Sequence, residues 1–157
     1  MAEHVLSMMN NAQNLLATQI PITDHMNLDI ECVSENEFAI RAPLAPNRND
    51  KGTGFAGSLY SAMVLAGWCF VSTKLKADGL DAQVAVTSSH VDFLHPVTDD
   101  FSAVCRLSDP DQWVHFVSKL EKRRNYHISL SVDLICAGDV KATLTGQYIA
   151  WFPRKDW

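Results

Sequence analysis

Asn47-Arg-Asn-Asp-Lys-Gly-Thr-Gly-Phe-Ala-Gly-Ser-Leu-Tyr-Ser-Ala-Met-Val-Leu-Ala-Gly-Trp-Cys-Phe-Val71 carries a polar, turn-rich loop directly into an apolar helix. From Phe55 to Val71 no residue is charged, and the polar side chains are Ser58, Tyr60, Ser61 and Trp68. A helix that is apolar all round is either a membrane span or a helix wrapped by protein. This one is short for a bilayer, is interrupted by Gly57 and Gly67, and is flanked by strand-like sequence, so it reads as buried. Its first turn follows Gly52, Thr53 and Gly54, a setting in which unpaired helix amides can face an oxyanion. Chemistry is expected there.

The chain around it has 157 residues, enough for one domain with a substantial core, and its 47% hydrophobic and 20% charged content is that of a globular protein. A net charge of −5 argues against nucleic-acid binding, which needs a basic face. Residues 1–18 lack a basic start, an apolar run and a small-residue cleavage site, so no signal peptide is read and a cytoplasmic location is expected. Cys32, Cys69, Cys105 and Cys136 are far apart and lie inside apolar stretches, which suits buried free thiols. No His/Asp/Glu set has ligand spacing, so neither a metal nor another cofactor is expected.

Residues 3–18 place Val5, Met8, Met9, Ala12, Leu15 and Leu16 at helical spacing, and Ile20-Pro21-Ile22 ends that helix. Met26, Leu28, Ile30 and Cys32 alternate with polar residues as a half-buried strand, and Phe38 to Leu44 returns as a second. A loop over 45–54 leads to the central helix, which runs to about Leu75 and is closed by Lys76-Ala-Asp-Gly-Leu-Asp81. Gln83 to His95 reads as a long strand stopped by Pro96, and Phe101, Ala103, Cys105 and Leu107 alternate in the next. Asp109 is an N-cap followed by Pro110 at the first helical position and Gln112 at the third. The helix it opens ends in Lys122, Arg123 and Arg124, where positive charge suits the dipole. Ile128 to Leu134 and Val140 to Phe152 form a hairpin turning at Gly138-Asp139. The result is an α+β chain with six antiparallel strands and one long buried helix after the second strand.

A sheet that covers an all-round apolar helix must curl about it, and this order resembles the hot-dog fold over almost the whole chain. Ala85-Val-Thr-Ser-Ser-His-Val-Asp-Phe-Leu-His-Pro-Val97 is similar to the third strand of hot-dog thioesterases, and Lys141-Ala-Thr-Leu-Thr-Gly-Gln147 to their last. Asn49-x-x-Gly52, Ala56-Gly57, Ser-Leu-Tyr and the Leu-Ala-Gly-Trp of residues 65–68 narrow the likeness to the family labelled putative thioesterase domain. That domain also occurs fused behind an acetyltransferase, and its members include malonyl-acyl carrier protein decarboxylases. The resemblance implies a homodimer or a dimer of dimers, and a coenzyme A or acyl carrier protein thioester as substrate.

Gly52-Thr-Gly-Phe-Ala-Gly57 spells G-x-G-x-x-G, but a dinucleotide fingerprint must leave a buried strand by a tight turn within a βαβ unit. Here a loop containing Pro46 intervenes, and the glycines are expected instead to let a thioester carbonyl approach the helix start. Acyl-CoA thioesterases of the fold commonly carry Asn-x-x-Gly-x-x-His-Gly-Gly with a carboxylate nine residues after the His. Asn49, Gly52 and Gly57 match that pattern, whereas Phe55 stands at the His, Ala56 at the first of the paired glycines and Val64 at the carboxylate. The other usual carboxylate would stand at Asn49, so both are missing.

Thioester hydrolysis needs water activated by a base, and Asp50 is the nearby substitute. Decarboxylation of a malonyl thioester needs the developing enolate oxygen held by neutral donors and a carboxylate that is poorly solvated. Asn49, Thr53 and the amides of Ala56 and Gly57 are therefore the expected catalytic groups. Asn47, Gly54, Phe55, Ser58, Ser61, Val64 and Ser89 are expected around the substrate. The structural alternatives are an Asx-turn at Asn49, a helix cap at Thr53 and backbone bonding by Ser58 and Ser61. His90 and Asp92 share a strand face as a structural pair. Arg123 and Arg124 form a dock for carrier phosphates or a solvated helix end. Three functions fit: decarboxylation of malonyl-acyl carrier protein at the start of fatty-acid synthesis, thioester hydrolysis, or acyl-thioester binding without chemistry. Neither nucleic acid nor membrane is an expected partner.

Overall fold

A computed structural model describes residues 1–154. In chain order the elements are α1 (Ala2–Gln19), α2 (Ile22–Met26), β1 (Asp29–Val33), β2 (Glu37–Ala42), a 3-10 turn (Ala45–Asn47), α3 (Ala56–Ala77), β3 (Gln83–Phe93), β4 (Phe101–Arg106), α4 (Pro110–Arg123), β5 (Asn125–Cys136) and β6 (Asp139–Trp151). The six strands form one antiparallel sheet in the order β1-β2-β4-β5-β6-β3. α3 packs against β2, β3, β4, β5 and β6, while α1 covers its back. This is the hot-dog arrangement.

The sequence accounts for the wrapping. Ile128, Leu130, Val132 and Leu134 of β5 and Ala142, Leu144, Tyr148 and Ala150 of β6 alternate onto the inner face and are buried. They meet Leu59, Ala62, Met63, Ala66, Phe70 and Leu75 of α3. Each such large side chain contributes about 1.5–3 kcal/mol of burial. α3 is long and apolar enough to cross a membrane, yet half of its most apolar stretch is packed inside the protein. The helix closes where Gly79, at φ 79°, lets Leu80 N–H reach Leu75 O and Gly79 N–H reach Lys76 O.

Several boundaries differ from expectation, each for a local reason. Met26 and Leu28 precede the strand: Pro21 starts a short helix, Thr23 Oγ1 donates to Leu16 O and Ile20 O, and Asn27 ends it at φ 52°. β1 therefore begins at Asp29. β3 stops at Phe93 because the amides of Leu94 and His95 both turn to Lys141 O. The β5–β6 turn is Ala137-Gly138, both at positive φ, and Asp139 already belongs to β6. Asp109 caps α4 as expected, its carboxylate accepting the Asp111 amide at 3.0 Å.

Polar groups cross the far end of α3. Lys74 is buried and holds Glu35 at 2.7 Å. His4 lies between Glu35 (2.8 Å) and Asp78 (2.7 Å), and Trp113 Nε1 donates to Asp78. One network thus ties α1, the β1–β2 turn, α3 and α4 together.

Candidate active site

The loop ahead of α3 is stapled by its own backbone. Asn49 N–H donates to Thr53 O at 2.7 Å, Gly54 N–H to Val97 O at 2.7 Å, and Phe55 N–H to Asn47 O at 2.7 Å. Gly52, at φ 76°, allows the reversal between Asn49 and Thr53. Asn47 is a buried strut: it is 1% exposed, and its Nδ2 donates to Met26 O and Pro43 O at 2.8 Å each. It fixes the loop to the end of α2.

Asn49 is the hub. Its Oδ1 accepts the amides of Lys51 (2.9 Å) and Thr53 (3.1 Å), which is an Asx-turn and orients the carboxamide. Its Nδ2 therefore faces the other way, donating to Thr53 Oγ1 at 3.0 Å and reaching Gly54 O only at 3.5 Å. A bond that long is weak, so this second N–H can turn to a ligand oxygen at little cost. The structural alternative and the functional expectation for Asn49 are compatible. Thr53 does not cap α3; its hydroxyl supports Asn49 instead.

The N-cap of α3 is Phe55, and no side chain caps it. Leu59 N–H makes the first helical bond, to Phe55 O. Among the described residues the amides of Ala56, Gly57 and Ser58 have no protein acceptor. The Phe55 ring lies back over Gly57, where a Cβ would meet its Cε1 at 2.4 Å, and the residue remains 53% exposed. Gly57 thus admits an aromatic ring beside the free amides. Gly54 is tightly packed, a Cβ there meeting Leu59 Cδ2 at 2.9 Å and Val97 Cβ at 3.0 Å, so its glycine serves the packing of the loop.

Further along α3 the side chains divide by partner. Ser61 Oγ donates to Gly57 O at 2.8 Å, while the Ser58 hydroxyl has no partner among the described residues. Val64 is half-buried against the core, and its carbonyl accepts the Tyr148 hydroxyl at 3.1 Å. Burial pushes the Tyr148 phenol above its ordinary range, so it stays a neutral donor. Cys69 and Cys105 are likewise pushed up to about 12 by burial and are inert thiols.

Ser89 sits on the inner face of β3, opposite Gly146, and its Oγ lies 2.8 Å from the Tyr60 hydroxyl. Tyr60 was not singled out from sequence, although its place three residues after Gly57 and four before Val64 puts it on their helix face. Phe55, Tyr60, Val86, Phe93 and Leu94 are exposed large apolar side chains at the start of α3 and along or just past β3, whose outer edge pairs with no strand among the described residues. His90 and Asp92 form a 3.2 Å pair that is largely exposed. The Asp50 carboxylate is 80% exposed and held by Lys51 at 3.0 Å.

Arg123 and Arg124 do not join this site within one protomer. They sit at the start of β5, beside Trp151 of β6, which pairs with Gln83 at the start of β3; the loop lies beyond the other end of β3. Among the described residues no group of three or more His, Cys, Asp or Glu is placed to hold a metal.

Related structures have the same form. A protein of unknown function from Chlorobaculum tepidum is 27% identical, with a TM-score of 0.88 over 92% of this chain and 94% of its own. A putative thioesterase from Shewanella oneidensis is 29% identical, with a TM-score of 0.82 over 92% of this chain and 98% of that one. The PaaI protein of the E. coli phenylacetic acid degradation operon shares the fold at 14% identity and a TM-score of 0.66, over 94% of this chain and 97% of its own. A family model described as putative thioesterase (yiiD_Cterm) matches residues 9–152. The chain therefore belongs to that family of thioesterase-like hot-dog domains, which points to acyl thioesters as its substrates.

Proposed function

We propose that the protein decarboxylates malonyl-acyl carrier protein to acetyl-acyl carrier protein, supplying the start of fatty-acid synthesis in the cytoplasm. The observation that carries this reading is a site with neutral donors and no carboxylate on the helix: the free amides of Ala56, Gly57 and Ser58, the Asn49 Nδ2, and no Asp or Glu between Thr53 and Lys74. A thioester carbonyl at the helix start would meet the positive end of the dipole. The electrons of the bond between the malonyl carboxylate and its methylene carbon pass into that carbonyl, carbon dioxide leaves, and the enolate carbon takes one proton from water. The donors hold the enolate oxygen, while Phe55 and Val64 leave the departing carboxylate poorly solvated and favour its loss.

The free edge of β3, with Val86 and Phe93 exposed along it, favours a homodimer, or a dimer of dimers, formed by antiparallel pairing of two β3 strands. Ser89 would then lie close to the neighbouring protomer's loop. The family description favours a second reading, thioester hydrolysis, with Asp50 or a residue of the partner as base. Paired variants separate the two. Asn49→Ala is expected to lower kcat on malonyl-acyl carrier protein by about 10²–10³-fold, while Asp50→Ala leaves it within a few-fold. The opposite ranking would select the hydrolase.

A further inference from the structure

Tyr148 spans the gap between the sheet and α3, and two glycines make room for it. A Cβ at Gly146 would lie 2.8 Å from its Cε2, and one at Gly67 would strike its hydroxyl. That hydroxyl donates to Val64 O at 3.1 Å, and the side chain is fully buried. Glycine is disfavoured inside both a helix and a strand, and a phenol inside a core needs a hydrogen-bond partner. Leucine or phenylalanine facing alanine would fill a core without those costs. Departures of this kind from local preference gather at functional sites.

The ring closes the inner end of a row on α3. Gly57, Tyr60, Val64 and Gly67 follow at intervals of three and four and share a helix face. Gly57, Tyr60 and Val64 keep some exposure, whereas Gly67 is buried. The row thus leads from the free amides at the helix start, past the contact of Tyr60 with Ser89, to the Tyr148 ring behind Val64. Gly146, against which that ring lies, is the residue paired with Ser89. We infer that Tyr148 is a stop that sets the length of acyl group the site admits, an inference that rests on the thioester reading of the loop. Val64 lies seven residues beyond Gly57, about 10 Å along the helix. An extended chain covers that distance in roughly eight to nine bonds. A malonyl group fits in front of the stop, and a long fatty-acyl chain does not.

Titration calorimetry with S-acyl-pantetheines from acetyl to dodecanoyl reads that length, pantetheine being the group that coenzyme A and acyl carrier protein share. Affinity should rise about fourfold per added methylene, the worth of one buried CH₂, and stop rising by about eight carbons. Tyr148→Ala should move this break to longer chains, and Tyr148→Leu, which leaves a smaller hole, should move it less far. Tyr148→Phe keeps the ring and should keep the break. If the alanine variant does not fold, the leucine variant carries the test. A merely structural tyrosine would change affinity for every chain length by one common factor and leave the break in place. That result, or a parent affinity that climbs unbroken to dodecanoyl, overturns the proposal. Binding of no member of the series overturns the stop and the thioester reading together. Carbon dioxide release from malonyl-acyl carrier protein is scored separately. A break that moves with Tyr148 in a protein that releases none removes the decarboxylase alone, and release without a break removes the stop alone.

Discussion

At Gly67 a single methyl group sets two effects against each other. Alanine in a helix is favoured over glycine by about 1 kcal/mol, but a Cβ here would lie 2.2 Å from the Tyr148 hydroxyl. Tyr148 is fully buried and bonded to Val64 O, so the ring has nowhere to go. Overpacking at about 1–3 kcal/mol and a lost buried hydrogen bond at about 1–3 kcal/mol outweigh the helix gain. Gly67→Ala should therefore cost about 2 kcal/mol in urea denaturation, and Tyr148→Phe in that background should recover part of it. Strict additivity of the two changes would contradict this packing. At Gly57 the obstacle is instead the half-exposed Phe55 ring, which can swing away. Gly57→Ala should hold stability within about 0.5 kcal/mol while lowering turnover, because the displaced ring no longer borders the free amides. Gly57 and Asn49 could be placed near one another from the sequence because the loop is local. The Tyr148 partner of Gly67 and the Ser89 partner of Tyr60 were invisible in it, since only the sheet brings them together.

Elements were legible to the degree that their ends are local. Asp109-Pro110 declares a helix start by side-chain chemistry within three residues, and α4 begins there. Asp109→Ala should cost about 1 kcal/mol, read as a lower urea midpoint with an unchanged slope, and Asp109→Asn should retain most of the cap. The segment 22–28 was not legible. Alternating Met26, Leu28 and Ile30 satisfied the strand pattern, but Thr23 bonding back to the end of α1 and the left-handed Asn27 outvoted it. α3 was readable throughout, because no soluble surface helix carries so long an uncharged run. What that run could not show was the orientation of its start, where Phe55 folds back over Gly57.

For the whole molecule, the order of strands and helix sufficed to identify the wrapped architecture, while charge placement needed the fold. Glu35 shows this. Burial raises its pKa, but the hydrogen bond and charge of Lys74, aided by His4, outweigh burial and hold it below its ordinary 4.5. A depressed carboxylate contributes stability above its unfolded value, and loses it as pH falls through the lower folded value. Stability should accordingly decline below about pH 4.5, with part of the decline absent in Glu35→Gln. An unchanged acid limb in that variant would mean that Lys74 and His4 do not hold Glu35 in solution. The same fold brings neutral donors to the start of α3, where the neighbouring loop carboxylate, Asp50, is 80% exposed and held by Lys51, and the choice between decarboxylation and hydrolysis turns on which of these groups acts.

Mass spectrometry of malonyl-acyl carrier protein after incubation with the protein tests that choice directly. Loss of carbon dioxide with the thioester intact, abolished by Asn49→Ala, is the predicted result. Free carrier thiol together with released malonate would contradict it and make the protein a hydrolase.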